Sequence, residues 1–189
     1  MNKGKAFTLI ELLIVVAIIA ILALIAVPNL LQAQIRAKVV TVRADFRNLL
    51  VAMQAYRVDY NAYPDDIPRP GIDGEGTWLH DFYPLTHLTT PVAYITTVPT
   101  NPFFDLWSSG PSRGKGNYLY WGSDMHPPIL PIFFHLASAG PDQTISGAGG
   151  QEGWRVIGRD PKFVNALYDP TNGTVSNGDL ICHDRGLVF

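Results

Sequence analysis

The sequence predicts an α+β protein, with one long N-terminal helix, membrane-spanning in its first half, packed on a small antiparallel sheet. Three observations carry this. Residues 1–63 contain a single Gly (Gly4) and a single Pro (Pro28), whereas the other 16 Gly and 14 Pro fall in residues 64–189. Only the first third can therefore sustain a long helix. Leu12–Val27 is an unbroken run of 16 apolar residues. After the helical region come short segments rich in aromatic and β-branched residues between turn signals, which read as strands.

Composition narrows the function classes. The chain has 189 residues and a formal charge of −2, and 16% of its residues are charged, against ~25% in ordinary globular domains. It is neither a disordered acidic or basic chain nor one with a nucleic-acid footprint, and no nucleic-acid partner is expected. The single cysteine, Cys182, excludes an intrachain disulfide and any multi-cysteine zinc site.

The first element is the apolar helix. No charged residue lies between Glu11 and Arg36. At 1.5 Å per residue that gap covers ~36 Å, enough to cross a ~30 Å hydrocarbon core. A core helix this apolar on all sides would need a large protein around it. An ordinary secretory signal would end in a small-residue cleavage site. Here Pro28 and Asn29 are followed instead by an amphipathic pattern: Ile35, Val39, Val42, Phe46, Leu49, Met53, Tyr56 and Tyr60 recur at alternating spacings of four and three. The stripe could build a coiled coil. The stronger reading is a face that docks onto the C-terminal domain.

Glu11 is the odd residue. A carboxylate near an apolar span costs several kcal/mol unless it sits at the interface or has a partner. A place in the first helical turn would suit it, through the helix dipole. No Lys or Arg after Glu11 is near enough to pair with it, but a free amine at a newly cut N-terminus would serve.

Lys3 and Lys5, followed by Ala6-Phe7-Thr8-Leu9-Ile10-Glu11-Leu12-Leu13 and the apolar run, resemble the prepilin signal of type IV pilins and pseudopilins. The resemblance implies cleavage between Ala6 and Phe7 by a prepilin peptidase and N-methylation of Phe7, with Glu11 fifth in the mature chain. The usual residue before the cut is Gly, and this chain has Ala6. Cutting after Gly4 would leave Glu11 seventh. The resemblance also gives Glu11 the role of pairing with the N-terminal amine of an adjacent subunit, and Pro28 that of a kink or local melting point. The physics agrees, since two charges each costly in lipid cost less as a pair. Lys3 and Lys5 place the N-terminus in the cytoplasm. The C-terminal bulk is then periplasmic, or external in a single-membrane cell. Cleavage takes the formal charge from −2 to −4.

The resulting plan is a leader at 1–6, a membrane and filament-core half-helix at 7–34, an amphipathic half-helix at 35–63 and a head at 64–189. Residues 64–116 read as a Pro/Gly-punctuated connection with one short helix. Candidate strands are Asn117–Gly122, Ile129–Ser138 and Asp179–Asp184, with weaker ones at Trp154–Gly158 and Phe163–Tyr168. Pro131 implies an edge position or a late start for the second.

The helix end, Tyr56-Arg57-Val58-Asp59-Tyr60-Asn61-Ala62-Tyr63-Pro64, is similar to that of the major pseudopilin of type II secretion. Tyr94-Ile95, Val98-Pro99, Pro102-Phe103, Ser138-Ala139-Gly140-Pro141-Asp142 and Asn177-Gly178-Asp179-Leu180-Ile181 fit more loosely. The resemblance implies a pilin-like fold and calcium in place of a disulfide. Its candidate ligands are Asp142, Asp169, Asn172, Ser176 and Asp179 in an oxygen-rich, Gly-containing stretch. It is not an EF-hand, and plain Asx-capped turns have the same composition. Residues 143–168 exceed the family's shorter loop. No other cofactor is expected.

Catalytic readings are weak. Gly110-Pro111-Ser112-Arg113-Gly114 matches G-x-S-x-G but is embedded in loop composition. Gly114-Lys115 lacks the remainder of a phosphate loop. Cys182-His183-Asp184 are consecutive, and on a strand His183 points away from the other two. His80, His87, His126, His135 and His183 show no metal-ligand spacing. Asn172-Gly173-Thr174 fits a glycosylation sequon that means little in a prokaryote.

The expected protein is a non-enzymatic subunit of a pseudopilus that drives type II secretion. Its expected partners are further copies of itself, minor pseudopilins, an inner-membrane assembly platform, the prepilin peptidase and the lipid bilayer. The alternatives are a type IV pilin for adhesion, motility or DNA uptake, and an anchored binding protein that never polymerises.

Overall fold

The computed structural model describes residues 7–64, 83–103, 118–122, 134–143, 167–171, 176, 178–184 and 186–188. Its spine is α1, Leu9–Tyr60, a single helix of 52 residues, about 78 Å long at 1.5 Å per residue. Thr8 is its N-cap, and Asn61, left-handed at φ 55°, closes it. Asn tolerates that conformation, so α1 stops three residues before the expected boundary at Tyr63-Pro64. A four-residue helix α2, Tyr83–Thr86, is the short helix expected in the connection.

The head carries one antiparallel sheet of β1 (Leu119–Gly122), β2 (Phe134–Ser138), β3 (Leu180–His183) and β4 (Gly186–Val188), in that spatial order. The register pairs Tyr120 with Leu136, Leu136 with Cys182, and Cys182 with Leu187. Each of the three stronger strand candidates holds an observed strand. β2 lies between β1 and β3, so the edge reading of this strand fails; Pro131 itself lies outside the described residues. β4 was missed. Its three residues are too few for a period-2 signal, and it exists because the chain reverses between His183 and Gly186, with Gly186 at φ 126°. Phe163–Tyr168 is reached only at its end, where Leu167 makes an isolated parallel bridge to Asp179. Trp154–Gly158 lies outside the described residues.

The core forms where α1 meets the sheet. Val39, Val42, Phe46, Leu49 and Met53 of the stripe are buried with Tyr118, Tyr120, Phe134, Leu136, Leu180 and Cys182. Ile35 and Tyr56 are partly buried against this cluster. Tyr60 departs from the pattern: it is exposed and stacks on Tyr56 at 4.4 Å. The docking reading therefore holds over the coiled-coil one. The alternate sheet positions Leu119, Trp121, His135, Ala137 and Ile181 are buried too, so both faces of the sheet are covered.

Polar ties fix the helix to the head. Tyr118 donates its hydroxyl to Asp45 (2.5 Å), Tyr94 to Asp59 (2.5 Å) and Tyr120 to the Pro64 carbonyl (2.8 Å). The connection is pinned by buried Asn101, whose Oδ1 accepts from Ser138 Oγ (2.8 Å) and the Phe103 amide (3.0 Å).

Candidate assembly and anchoring site

Every large apolar side chain from Leu9 to Leu31 is between 46% and 87% exposed. Among the described residues this half of α1 stays uncovered, and its most apolar window is wholly unburied. A water-soluble fold does not leave so continuous an apolar surface open. Among the described residues α1 is the one helix long and apolar enough to cross a membrane.

Phe7 is exposed at the start of this surface, and Ala6 lies outside the described residues. Glu11 occupies the first turn of α1, the place expected for it. Its environment contains a partner that the sequence reading missed. The Thr8 amide and hydroxyl both donate to Glu11 Oε2 (2.9 and 2.7 Å), and the Glu11 amide donates to Thr8 Oγ1 (3.3 Å). This is a reciprocal capping box. The signal was present as Thr8-x-x-Glu11. In the single chain the carboxylate thus neutralises the positive end of the helix and satisfies the donors that an N-terminus leaves open.

Pro28 lies inside α1, and the helix runs through it without interruption. The local melting that the resemblance allowed is absent in the single chain. What remains is the missing proline N–H, which leaves the Leu24 carbonyl without its i+4 donor.

The proposed calcium region brings three segments of the chain together, around Gly140, Leu167 and Gly178. A Cβ on Gly140 would fall 1.9 Å from the Gly178 carbonyl oxygen and 3.9 Å from Asp142 Oδ1. A Cβ on Gly178 would fall 1.9 Å from the Leu167 carbonyl. Only glycine permits these approaches. The Tyr168 amide donates to the Asp179 carbonyl (2.9 Å), and the Asp169 amide donates to Ser176 Oγ (2.9 Å). Asp169 Oδ1 accepts from the Thr171 hydroxyl (2.6 Å) and amide (2.8 Å), and these donors hold its carboxyl below the usual range. Asp169 and Ser176 therefore brace the loop itself. Asp142 Oδ1 stands beside Gly140, and Asp179, fully buried, follows Gly178 in the chain. Asn172 lies outside the described residues. Among the described residues no three His, Cys, Asp or Glu side chains converge as a metal cage. A hard cation here would have to draw on backbone carbonyls as well, which calcium accepts.

The catalytic candidates gain nothing from the geometry. Cys182 is a buried free thiol, pushed up to about 12 by burial and by the nearby Asp184 charge, the opposite of an activated nucleophile. Asp184 sits in the turn beyond β3, 3.7 Å from His183 Nδ1. The Gly110–Gly114 motif, Lys115 and the sequon lie outside the described residues, as do His80 and His126.

Comparison with known proteins agrees with this geometry. Residues 1–27 match the family described as the prokaryotic N-terminal methylation motif. The type IV wide pilus major component PilA4 of Thermus thermophilus is 49% identical over 63 residues, covering 33% of this chain and about half (48%) of that protein. The type II secretion system core protein G of Pseudomonas aeruginosa is 31% identical over 127 residues, covering 61% of this chain and 89% of that protein. Its Vibrio cholerae counterpart is 29% identical over 164 residues, covering 85% and 91%. No solved structure matches significantly. These relatives are structural pilin and pseudopilin subunits rather than enzymes. The short pilus match spans about the length of α1, whereas the secretion relatives are matched nearly end to end, and on that coverage the chain belongs to the family of the type II secretion system core protein G, the pilin-like major pseudopilins.

Proposed function

We propose that this chain is a structural subunit of a pseudopilus that drives type II protein secretion. The observation that carries the reading is the match across 89% of the Pseudomonas secretion protein, head included. The exposed apolar half of α1 first anchors the subunit in the cytoplasmic membrane, with residues 1–6 on the cytoplasmic side and the head in the periplasm. Prepilin peptidase cuts between Ala6 and Phe7, and Phe7 is N-methylated. An assembly platform and minor pseudopilins then gather the subunits into a helical filament. There Glu11 pairs with the N-terminal amine of a neighbour, and the growing filament pushes exported proteins outward. Calcium belongs to this reading as the head's staple. Asp142 and Asp179 would hold it with backbone carbonyls, and its charge would tie the 140s turn to the start of β3.

The type IV pilin reading is favoured by one observation, the 49% identity to the Thermus pilus component. That likeness covers 63 residues, only 33% of this chain and 48% of the Thermus protein.

The test is Glu11→Ala in a strain lacking the native copy. Secretion and filaments should be lost while membrane insertion and cleavage continue, and mass spectrometry of the mature chain should show an N-methylated Phe7 start. Secretion and filaments at wild-type levels would refute a polymerising subunit. Intact secretion together with loss of surface pili, adhesion or motility would transfer the protein to the pilus reading.

A further inference from the structure

The neutral part of α1 is longer than a membrane is thick. No residue from Leu12 to Ile35 is charged, which is ~36 Å of helix against a ~30 Å hydrocarbon core. Apolarity alone therefore leaves the depth of the helix open, because such a span can tilt or slide. The charges that follow it are of one sign. Arg36, Lys38 and Arg43 all precede Asp45, the first acidic residue beyond Glu11. Asp45 in turn accepts the Tyr118 hydroxyl of the head at 2.5 Å. Arg36 and Lys38 are exposed, and among the described residues no carboxylate pairs with either.

Their height on the helix gives these two cations a surface to meet. Arg36 stands five residues beyond Leu31 and Lys38 seven, roughly 7–11 Å up the helix. The polar headgroup layer outside the hydrocarbon core is about 5–7 Å deep on each side. Side chains of a helix lean toward its N-terminus, which here is toward the membrane, and long basic side chains carry their charge back to it. At about 100° per residue the two residues are about 200° apart, on opposite sides of the helix. The Lys38 ammonium also stands 5.7 Å from the centroid of the Phe103 ring. A ring attracts the cation but supplies no oxygen acceptor, which leaves the ammonium's donors for another group. The Phe103 amide donates to Asn101 Oδ1, which also accepts from Ser138 Oγ, so an anion held by Lys38 sits against a pinned part of the head.

We propose that Arg36 and Lys38 bind the phosphates of anionic phospholipid headgroups in the leaflet on the head's side. This contact sets the depth of α1 in the membrane before assembly and ties the head to the membrane surface. It rests on the membrane-anchored reading above.

The test uses the full-length chain with Lys3→Gln and Lys5→Gln in every sample, so that the leader adds no basic side chain. It is reconstituted in phosphatidylcholine vesicles holding a trace of spin-labelled phosphatidylglycerol or spin-labelled phosphatidylcholine, and spin resonance reads the fraction of label immobilised at the protein. One basic residue near an anionic surface is worth about a fivefold preference. Phosphatidylglycerol should therefore be preferred about fivefold or more, and Arg36→Gln with Lys38→Gln should bring the preference below about twofold. Arg36→Lys, which keeps the charge, should retain it. So should Arg47→Gln, which lies ~24 Å beyond Leu31 and above the headgroups. Equal association of the two lipids with the reference chain overturns the proposal and makes an acidic partner protein the claimant for these residues. A preference that survives the double substitution also overturns it. Each sample is floated on a density gradient as well. A chain that floats without lipid preference loses this proposal and keeps its anchor, whereas a chain that fails to float with the vesicles removes the anchored reading, and this proposal with it.

Discussion

Leu49 and Val51 are two residues apart on α1 and face opposite ways, so truncating each separates the face that folds the protein from the face that is left open. Leu49 is fully buried in the helix–sheet core and Val51 is 65% exposed. Leu49→Ala removes a core side chain and leaves a cavity that the sheet only partly fills, which costs about 2.7–5 kcal/mol. For a soluble fragment starting near residue 34 this lowers the melting temperature by roughly 5–20 °C. Val51→Ala removes two methyls already in water and should change stability by less than about 0.5 kcal/mol. Urea unfolding followed by circular dichroism reads both, and an unchanged denaturant slope checks that the unfolded state is comparable. The reasoning is refuted by a Leu49→Ala loss below about 1 kcal/mol, or by equal losses for the two variants. The pair also separates causes of a secretion defect. Leu49→Ala would lower secretion through lower abundance, since a loss of this size shifts the folded population many-fold.

Three further outcomes are expected. Gly178→Ala should destabilise the head by about 1–3 kcal/mol, because its Cβ would enter the Leu167 carbonyl, and urea unfolding of the fragment checks this. Calcium held at 100 times its Kd should stabilise the head by ~2.7 kcal/mol, a gain that a chelator removes and that Asp179→Asn abolishes; a melting temperature indifferent to chelator would leave the plain-turn reading. Head stability should also fall as the medium becomes alkaline. Burial and the Asp45 carboxylate raise Tyr118, Asp59 raises Tyr94 to about 12, and burial raises Cys182 to about 12. A group raised by folding contributes stability below its unfolded value and loses it as the pH climbs toward its folded one. The decline should therefore begin near 9 to 10, the unperturbed values of Cys and Tyr, and Tyr118→Phe should flatten it in pH-dependent melting.

Legibility in the sequence followed the range of the interactions. α1 could be read because its signals are local and long: an uninterrupted apolar run, then a stripe whose period needs no knowledge of the head. Glu11 could be singled out because a charge in that setting demands a reason. β1, β2 and β3 were readable in position but not in order, since pairing joins residues such as Leu119 and Ala137 that lie far apart in sequence. β4 was invisible at three residues. The ties from Tyr118 to Asp45 and from Tyr94 to Asp59 were invisible for a different reason: 73 and 35 residues separate the partners, and neither aspartate differs locally from a solvated one. For the calcium candidates composition reaches residue types but not geometry. It nominates five oxygen ligands, yet it does not reveal that the side chains of Asp169 and Ser176 accept hydrogen bonds within their own loop, or that Asp142 Oδ1 stands beside Gly140.

The capping box changes how the Glu11 contact has to be understood. If the carboxylate were bare in the isolated subunit, pairing with a neighbour's amine would recover the whole cost of holding a charge beside lipid, and assembly would be driven hard by that one contact. Instead Thr8 already supplies two donors to Glu11 Oε2. In the proposed filament the amine would have to share or displace them, so the net gain would be the difference between two satisfied arrangements. Charge pairs of this kind contribute more to specificity than to strength. In the filament proposed above, Glu11 would then select the axial register: an offset neighbour would leave its amine without a carboxylate, and an unpaired charge in an apolar setting is heavily penalised. The free energy of association has to come from elsewhere on the helix. Among the described residues, the exposed apolar surface of Leu9–Leu31 is the part large enough to supply it.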